Sequence, residues 1–580
     1  MGRYNLLDEA WIPVLRKDTG AVESVSLLTL FTKAHNYSAL AGEMATQNFA
    51  MLRVLLAVLV TVFTRVDQNG EGYEGLDFDE TAGDKLIVNV QVDKEKLQVD
   101  EEDADEYLDA LDETWQAIWQ AHQIPVVVIK YLQAWHDRFY LLDDEYPFFQ
   151  VTKADLEARL PAGKCATALN AKSFAGKQIN RRISESNNKG ALFAPVVGDA
   201  KDKMSEAELT RWLITMQGYV GTADKGKFPT AEKVTNSKGW LYDIGGIYMA
   251  GDDLFETLWL NTILHHPADE QYSLAKQVPC WEEKPAARLE AIIDGKPLNN
   301  LAALYTAWSR AVYIPPDWTA AKKVSLGAIK VTEIAHENAF LETMTLWRFN
   351  ETGDHKNKFT PCTHQPAQSL WRSFGLLIPA KQDGDKTKQP GILTYYQQIA
   401  PHLDNRMVKL QAVSMLSDEN ATSWLPKDEV KDTLSLNGII LTDEAGDGWS
   451  VRVRNIVEET KNVIETYYRT AFLLKGIGNF RFGEKDKNRM VFVNKNVSLL
   501  YERIDNPFRE WLGGIRPEDD KSAKDHLWKA ELYAIILDEA ARIMSHLSLR
   551  DYKGKDDGKE NCITVYQKLK RNLSKKLKSN

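Results

Sequence analysis

Four long stretches of helical periodicity close the sequence, at roughly 451–474, 496–512, 525–549 and 562–577, and they limit the possible folds more than any other feature. In the third, Trp528, Leu532, Ile535, Ile536 and Ile543 recur at helical spacing, so one face is apolar and needs cover. Polar connections join the four, which predicts an antiparallel four-helix bundle over residues 441–580. Before residue 441 the pattern changes to short aromatic or β-branched runs, broken by turn residues and mixed with isolated helical stripes. The expected fold class is α+β: a large mixed N-terminal domain over residues 1–440, followed by the C-terminal four-helix bundle.

Within the mixed region, residues 4–14 read as a strand-like segment interrupted by Pro13, and 23–31 as a strand turning into a helix. Residues 45–62 read as a buried helix, since the longest mainly apolar run, 54–63, is too short to span a bilayer. An acidic run at 100–106 leads into a helix with Tyr107, Leu108, Leu111, Trp115, Ile118 and Trp119 on its apolar side, and acids near a helix start favour its dipole. Segments 139–142 and 146–150 look strand-like, 302–312 helical, and 367–374 the start of a helix. Strand character at 406–415 gives way to the polar turn Ser417-Asp418-Glu419-Asn420.

The stretch 172–264 carries the clearest functional candidates. Its first loop holds Lys172, Lys177, Arg181, Arg182 and Lys189 against the single acid Glu185. Ser205 and Glu208 then form a capping box ahead of Leu209, Trp212, Leu213 and Met216, one apolar helical face. After Gln217 comes a glycine- and lysine-bearing loop with Gly218, Gly221, Lys225, Gly226 and Lys227, and Asp253 can cap the next helix. Glycines allow close backbone approach to a ligand, and mobile lysines suit phosphate. The plain alternative is a solvated surface loop.

The formal charge of −10 means that any nucleic-acid contact must be local. Cys165, Cys280, Cys362 and Cys562 lie far apart with no C-x-x-C pair, so they give no zinc signature and no disulfide framework. The start Met1-Gly2-Arg3-Tyr4-Asn5 shows no signal-peptide pattern, and a reducing cytoplasm without a membrane partner is expected. No phosphate-binding Walker loop is present. The rival class is a metal-dependent nuclease or phosphohydrolase using His136-Asp137 or His265-His266, but neither pair sits in a ligand constellation. A helical adaptor binding only protein would leave the basic segment without a task.

Taken in order, several short motifs resemble the large subunit of the type I-E CRISPR Cascade complex, the CasA family. Residues 5–14 match an N-L-L-x-x-x-W-I-P-V opening, and Tyr146-Pro147-Phe148-Phe149-Gln150 is similar to an H-P-F-x-Q segment. Ala191-Leu192-Phe193, residues 212–217, residues 251–261 and Leu370-Trp371-Arg372 follow in family order, and the helical end completes the pattern. The resemblance implies a non-catalytic subunit without a cofactor. Its expected partners are guide RNA-containing Cascade subunits, double-stranded target DNA and a helicase-nuclease effector. Such a subunit recognises the short motif flanking the target (the PAM), helps open the duplex and R-loop, and recruits the effector. By position the family's glycine loop falls at 218–226, and its docking loop at 172–194 with Lys177, Arg181, Arg182 and Phe193. Its wedge falls at Glu419-Asn420-Ala421, where Asn420 is a shorter amide than the family glutamine. No motif fixes the family's minor-groove lysine, although Lys330 lies in the general region.

Overall fold

The computed structural model describes residues 2–90, 101–160, 173–180, 182, 196, 198–221, 228, 238–267, 272, 274–379, 386–404, 406–417, 426–482, 486–554 and 559–578. Helices and short antiparallel strands are both present, as the mixed sequence pattern implied. By packing, the chain forms two compact units. Unit 1 comprises Met1–His364, Gln389–His402 and Leu410–Lys431; unit 2 comprises Gln365–Lys388, Leu403–Lys409 and Asp432–Asn580. Residue 441 falls inside the short helix Ile439–Thr442 of unit 2.

Unit 1 is built around the helix Ala45–Phe63, in which every residue from Phe49 to Phe63 is buried. It is longer than the apolar run alone suggested, and it is buried on all sides, with helices Glu206–Tyr219 and Leu301–Tyr305 among those packed on it. Its first turn is held by Glu429, whose carboxylate accepts from the Ala45 and Thr46 amides at 2.9 and 2.8 Å. Ile12–Arg16 is the middle strand of three, between Val22–Val25 and Tyr37–Leu40. Pro13 does not interrupt it: it lies opposite Ser24, and its carbonyl accepts from the Ala41 amide at 2.8 Å. The opening motif is folding chemistry. Asn5 donates to the His136 carbonyl and accepts from the Leu7 amide, both at 2.9 Å, while the Trp11 indole donates to the Leu6 carbonyl at 3.0 Å.

Two expectations for unit 1 are corrected. Residues 302–312 are not one helix: the helix Leu301–Tyr305 ends, and Arg310–Tyr313 becomes a strand paired with Ser325–Lys330. The cause is Gln217, whose side-chain carbonyl takes the Ser309 and Arg310 amides at 2.9 and 3.0 Å and diverts them from a helical ladder. Residues 146–150 form a turn rather than a strand, with Phe149 at φ 56° and the Asp143 carboxylate accepting from the Glu145 and Tyr146 amides.

Unit 2 is mainly helical. Trp449–Val463 runs on as a wider-turn helix, Ile464–Ile477, and is followed by Lys487–Gly513, Lys521–Ser545 and Cys562–Leu577. The second long helix begins well before residue 496 because Asp486 caps it, and Asn496 donates to the Phe492 carbonyl from within it. The expected helix start at 367–374 is a tight turn of helix, Leu370–Ser373, leading into Phe374–Leu377. Phe508 stacks on Trp371 at 4.2 Å and meets Trp528 edge-on at 4.8 Å, which places an aromatic cluster at the centre of the unit.

Candidate nucleic-acid interface

The helix Glu206–Tyr219 positions two of the three candidate loops, one at each end. Its start is fixed by the capping box: Ser205 Oγ accepts from the Glu208 amide at 3.2 Å and Glu208 accepts from the Ser205 amide at 2.9 Å. Leu209, Trp212, Leu213 and Met216 are buried, so the helix cannot turn about its axis without exposing them. At about 1.5 Å per residue, its fourteen residues separate the two loop stems by about 20 Å.

At the N-terminal side, the stem of the candidate docking segment is the strand Ser173–Ala175 and the helix Gly176–Ile179. The strand pairs with Ser325–Lys330, and the Asp202 carbonyl accepts from the Val324 amide at 2.6 Å. Lys177 and Arg182 are exposed here, whereas Arg181 and Phe193 lie outside the described residues.

At the C-terminal side, the chain leaves and returns through a tight clasp. Leu241 donates to the Gly218 carbonyl at 2.9 Å and Gly239 to the Val220 carbonyl at 2.8 Å. A Cβ on Gly239 would stand 2.1 Å from the Gly218 oxygen, so only glycine fits there. Gly218 itself abuts Leu241, and Gly221 is buried with its carbonyl accepting from Arg310 Nη2 at 2.8 Å. These two glycines form the base of the loop. Lys225, Gly226 and Lys227 lie outside the described residues.

Buried polar groups lock that base. Gln217 bridges it to the Phe149 and Arg310 carbonyls at 3.2 and 3.1 Å while accepting the two amides that end the preceding helix. Arg310 is fully buried, and burial lowers its guanidinium to about 10 while Glu333 opposes the shift. Lys330 is also buried and lies directly opposite Arg310 in the strand pair, so it is no exposed finger. On the returning chain, the Trp240 ring stacks on His336 at 4.4 Å and its indole donates to Glu342 at 2.6 Å. Glu342 also takes Arg53 through two bonds of 2.8 Å. Burial alone would raise that carboxyl, but Arg53, Trp240 and the Met344 amide hold it below the usual range.

The third candidate, Glu419-Asn420-Ala421, lies outside the described residues, but both flanking strands are described. Met407–Ser417 lies between Pro426–Asn437 and Gly246–Ala250 in one three-stranded sheet. Gly246–Ala250 is the continuation of the chain returning from the glycine loop, so the two stems share a sheet. Ser414 Oγ donates to the Ile244 carbonyl and accepts from the His364 amide, each at 3.0 Å. On the other strand Glu429 holds the start of the central helix, so both flanking strands are tied to their surroundings.

The residues of the rival hydrolase class are engaged elsewhere. His136 pairs with Asp8 at 2.7 Å and Asp137 with Arg138 at 3.2 Å. His265 packs edge-on to Tyr395, and His266 to Tyr272. No sequence signal announced Arg310, Gly239 or Glu429 as site-building residues, and Gln217 entered only as the last residue of a family segment. Their partners lie up to hundreds of positions away, and only the fold brings them together.

Comparison with known proteins adds the family. The model of CRISPR-associated protein Cse1 matches residues 5–539. A CRISPR-associated protein CasA/Cse1 of Thermus thermophilus is 23% identical over 427 residues, 72% of this chain and 68% of the relative. The crystal structure of Thermobifida fusca Cse1 superposes with a TM-score of 0.75 at 22% identity, covering 100% of this chain and 98% of that one. A chain of a solved CRISPR RNA-guided surveillance complex gives 0.64 at 14% identity, with 99% of each chain covered.

Proposed function

The chain belongs to the CRISPR-associated protein Cse1 family, and from that premise we propose that it is the non-catalytic large subunit of a type I-E RNA-guided surveillance complex, acting in the cytoplasm. It works beside the guide RNA-bearing Cascade subunits, reads the PAM in double-stranded DNA, promotes duplex opening and R-loop formation, and recruits a separate helicase-nuclease. Guide pairing reads the long target sequence, and protein reads the flanking duplex. Lys225 and Lys227 meet phosphate beside the PAM, on a path set by Gly218, Gly221 and Gly226. Glu419-Asn420-Ala421 enters the duplex as the wedge. Lys177, Arg181, Arg182 and Phe193 dock the chain near the 5′ end of the guide, and unit 2 acts as a four-helix bundle.

The observation that carries this reading is the shared framework of the stems. The strand Gly246–Ala250 lies in one sheet with Met407–Ser417 and Pro426–Asn437, which flank the candidate wedge, and the strand Ser173–Ala175 reaches the base of the glycine loop through Ser325–Lys330 and Arg310. A reader and a wedge held at a fixed spacing can couple recognition to strand separation. The test is the pair Lys225→Ala and Lys227→Ala in the assembled complex. Binding to PAM-bearing duplex should weaken, and the slope of log affinity against log salt should fall by about 2, the value for two lost phosphate contacts. An unchanged slope would reduce the loop to a connection.

A further inference from the structure

The last helix of unit 2, Cys562–Leu577, carries Lys568, Lys570, Arg571, Lys575 and Lys576 and no acid, in a chain whose formal charge is −10. Lys576 is engaged by Glu459 at 3.1 Å. Lys568 is exposed and has no hydrogen bond or ion pair among the described residues, and the same holds for Lys475 and Lys559. These three lysines line one cavity of about 380 Å³ between that helix and the wider-turn helix Ile464–Ile477.

The cavity has a definite construction. Phe472 and Leu569 are buried in its floor. Gly476 brings the two helices close, since a Cβ there would stand 2.4 Å from Val565 Cγ1. Tyr467 and Ala471 form one wall, and Lys568 and Asn572 stand about 6 Å apart along the axis of the other. Glu560 is the single acid in the lining. Helices with i→i+5 bonding are rare and gather at functional sites.

We propose that this groove binds the phosphodiester backbone of single-stranded nucleic acid. Three ammonium groups without partners among the described residues are suited to phosphates, and the apolar floor with the Tyr467 ring gives an unstacked base somewhere to lie. A duplex cannot enter a space of this size, but one strand can. An acidic protein segment fits less well, because Asn572 is the single side-chain amide in the lining to pair with a peptide backbone. The site lies in unit 2 and needs neither the PAM nor the guide, so it stands or falls apart from the loops of unit 1.

The experiment titrates the full chain with labelled oligothymidylate over a range of salt. The triple variant K475Q/K559Q/K568Q should lose about tenfold or more in affinity and flatten the salt slope by about 2, at roughly 0.7 per single-strand phosphate. The variant K553Q/K570Q/R571Q removes the same charge outside the groove and should bind within about twofold of the parent. Both should melt close to the parent, because all six side chains are exposed. Equal losses in the two variants would replace the groove with diffuse attraction. Competition by polyglutamate as strong as by unlabelled oligothymidylate would assign the groove to a protein segment. Failure of the parent to bind oligothymidylate would overturn the proposal outright.

Discussion

Arg310 in unit 1 and Lys570 in unit 2 carry the same charge under opposite circumstances. Arg310 is fully buried, with its guanidinium donating to the Gly221 and Ser309 carbonyls. Lys570 stands in solvent on a helix that carries no acid. Arg53 resembles Arg310, being buried against Glu342, and Lys475 resembles Lys570. A basic residue near a nucleic-acid candidate is therefore not automatically a phosphate donor. The buried guanidiniums of unit 1 set loop geometry, and lysines that remain in solvent are the ones available to a ligand.

The sharpest way to break that contrast is at Glu342. Glu342→Gln leaves Arg53 buried without its countercharge, which should cost about 3–5 kcal/mol in the unfolding free energy of the full chain. Because the Glu342 carboxyl is held below its usual range, the stabilisation it supplies is complete above about pH 4.3, the ordinary glutamate value, and is lost as pH falls through the lower folded value. The acid limb of the parent's stability curve should therefore flatten in the variant. An unchanged limb would mean that the ion pair contributes nothing linked to protons.

A smaller loss is expected at the loop base. Gln217→Ala strands the buried Ser309 and Arg310 amides and should cost about 1–3 kcal/mol by denaturant unfolding. It should also speed hydrogen exchange at the Gly239 and Leu241 amides, which form the clasp next to Gln217. The smallest effect belongs to the exposed side of the comparison. Lys570→Gln with Arg571→Gln should change stability by no more than about 0.5 kcal/mol, and a larger change would show that these cations hold structure after all.

Much of the fold was legible because its signals are local. The Ser205–Glu208 box, the Asp253 cap and the helix Cys562–Leu577 stand where sequence spacing put them. Local signals failed where a distant group intervened. Tyr305 and Trp308 share a helical stripe, yet Gln217 claims the amides that would continue it. The strand Pro426–Asn437 has too little apolar alternation to be read, because Glu429 within it serves the central helix. Gly218 looked like a ligand-facing glycine, and only the return of Gly239 reveals the tight crossing beneath the loop. Of the site, the sequence offered the candidate segments, and the folded chain supplied the stems that relate them.

The most direct measurement is strand separation beside the PAM, followed in the assembled complex with Asn420→Ala and Asn420→Gln. Each variant is compared with the parent on intact duplex and on duplex already melted next to the PAM. A wedge lowers the cost of the first unstacking, on the order of a few kcal/mol, and that cost is already met in the melted substrate. Both variants should open intact duplex poorly and recover on the melted one, with initial binding little changed. Equal defects on the two substrates would mean that Asn420 holds or reads the PAM and separates nothing.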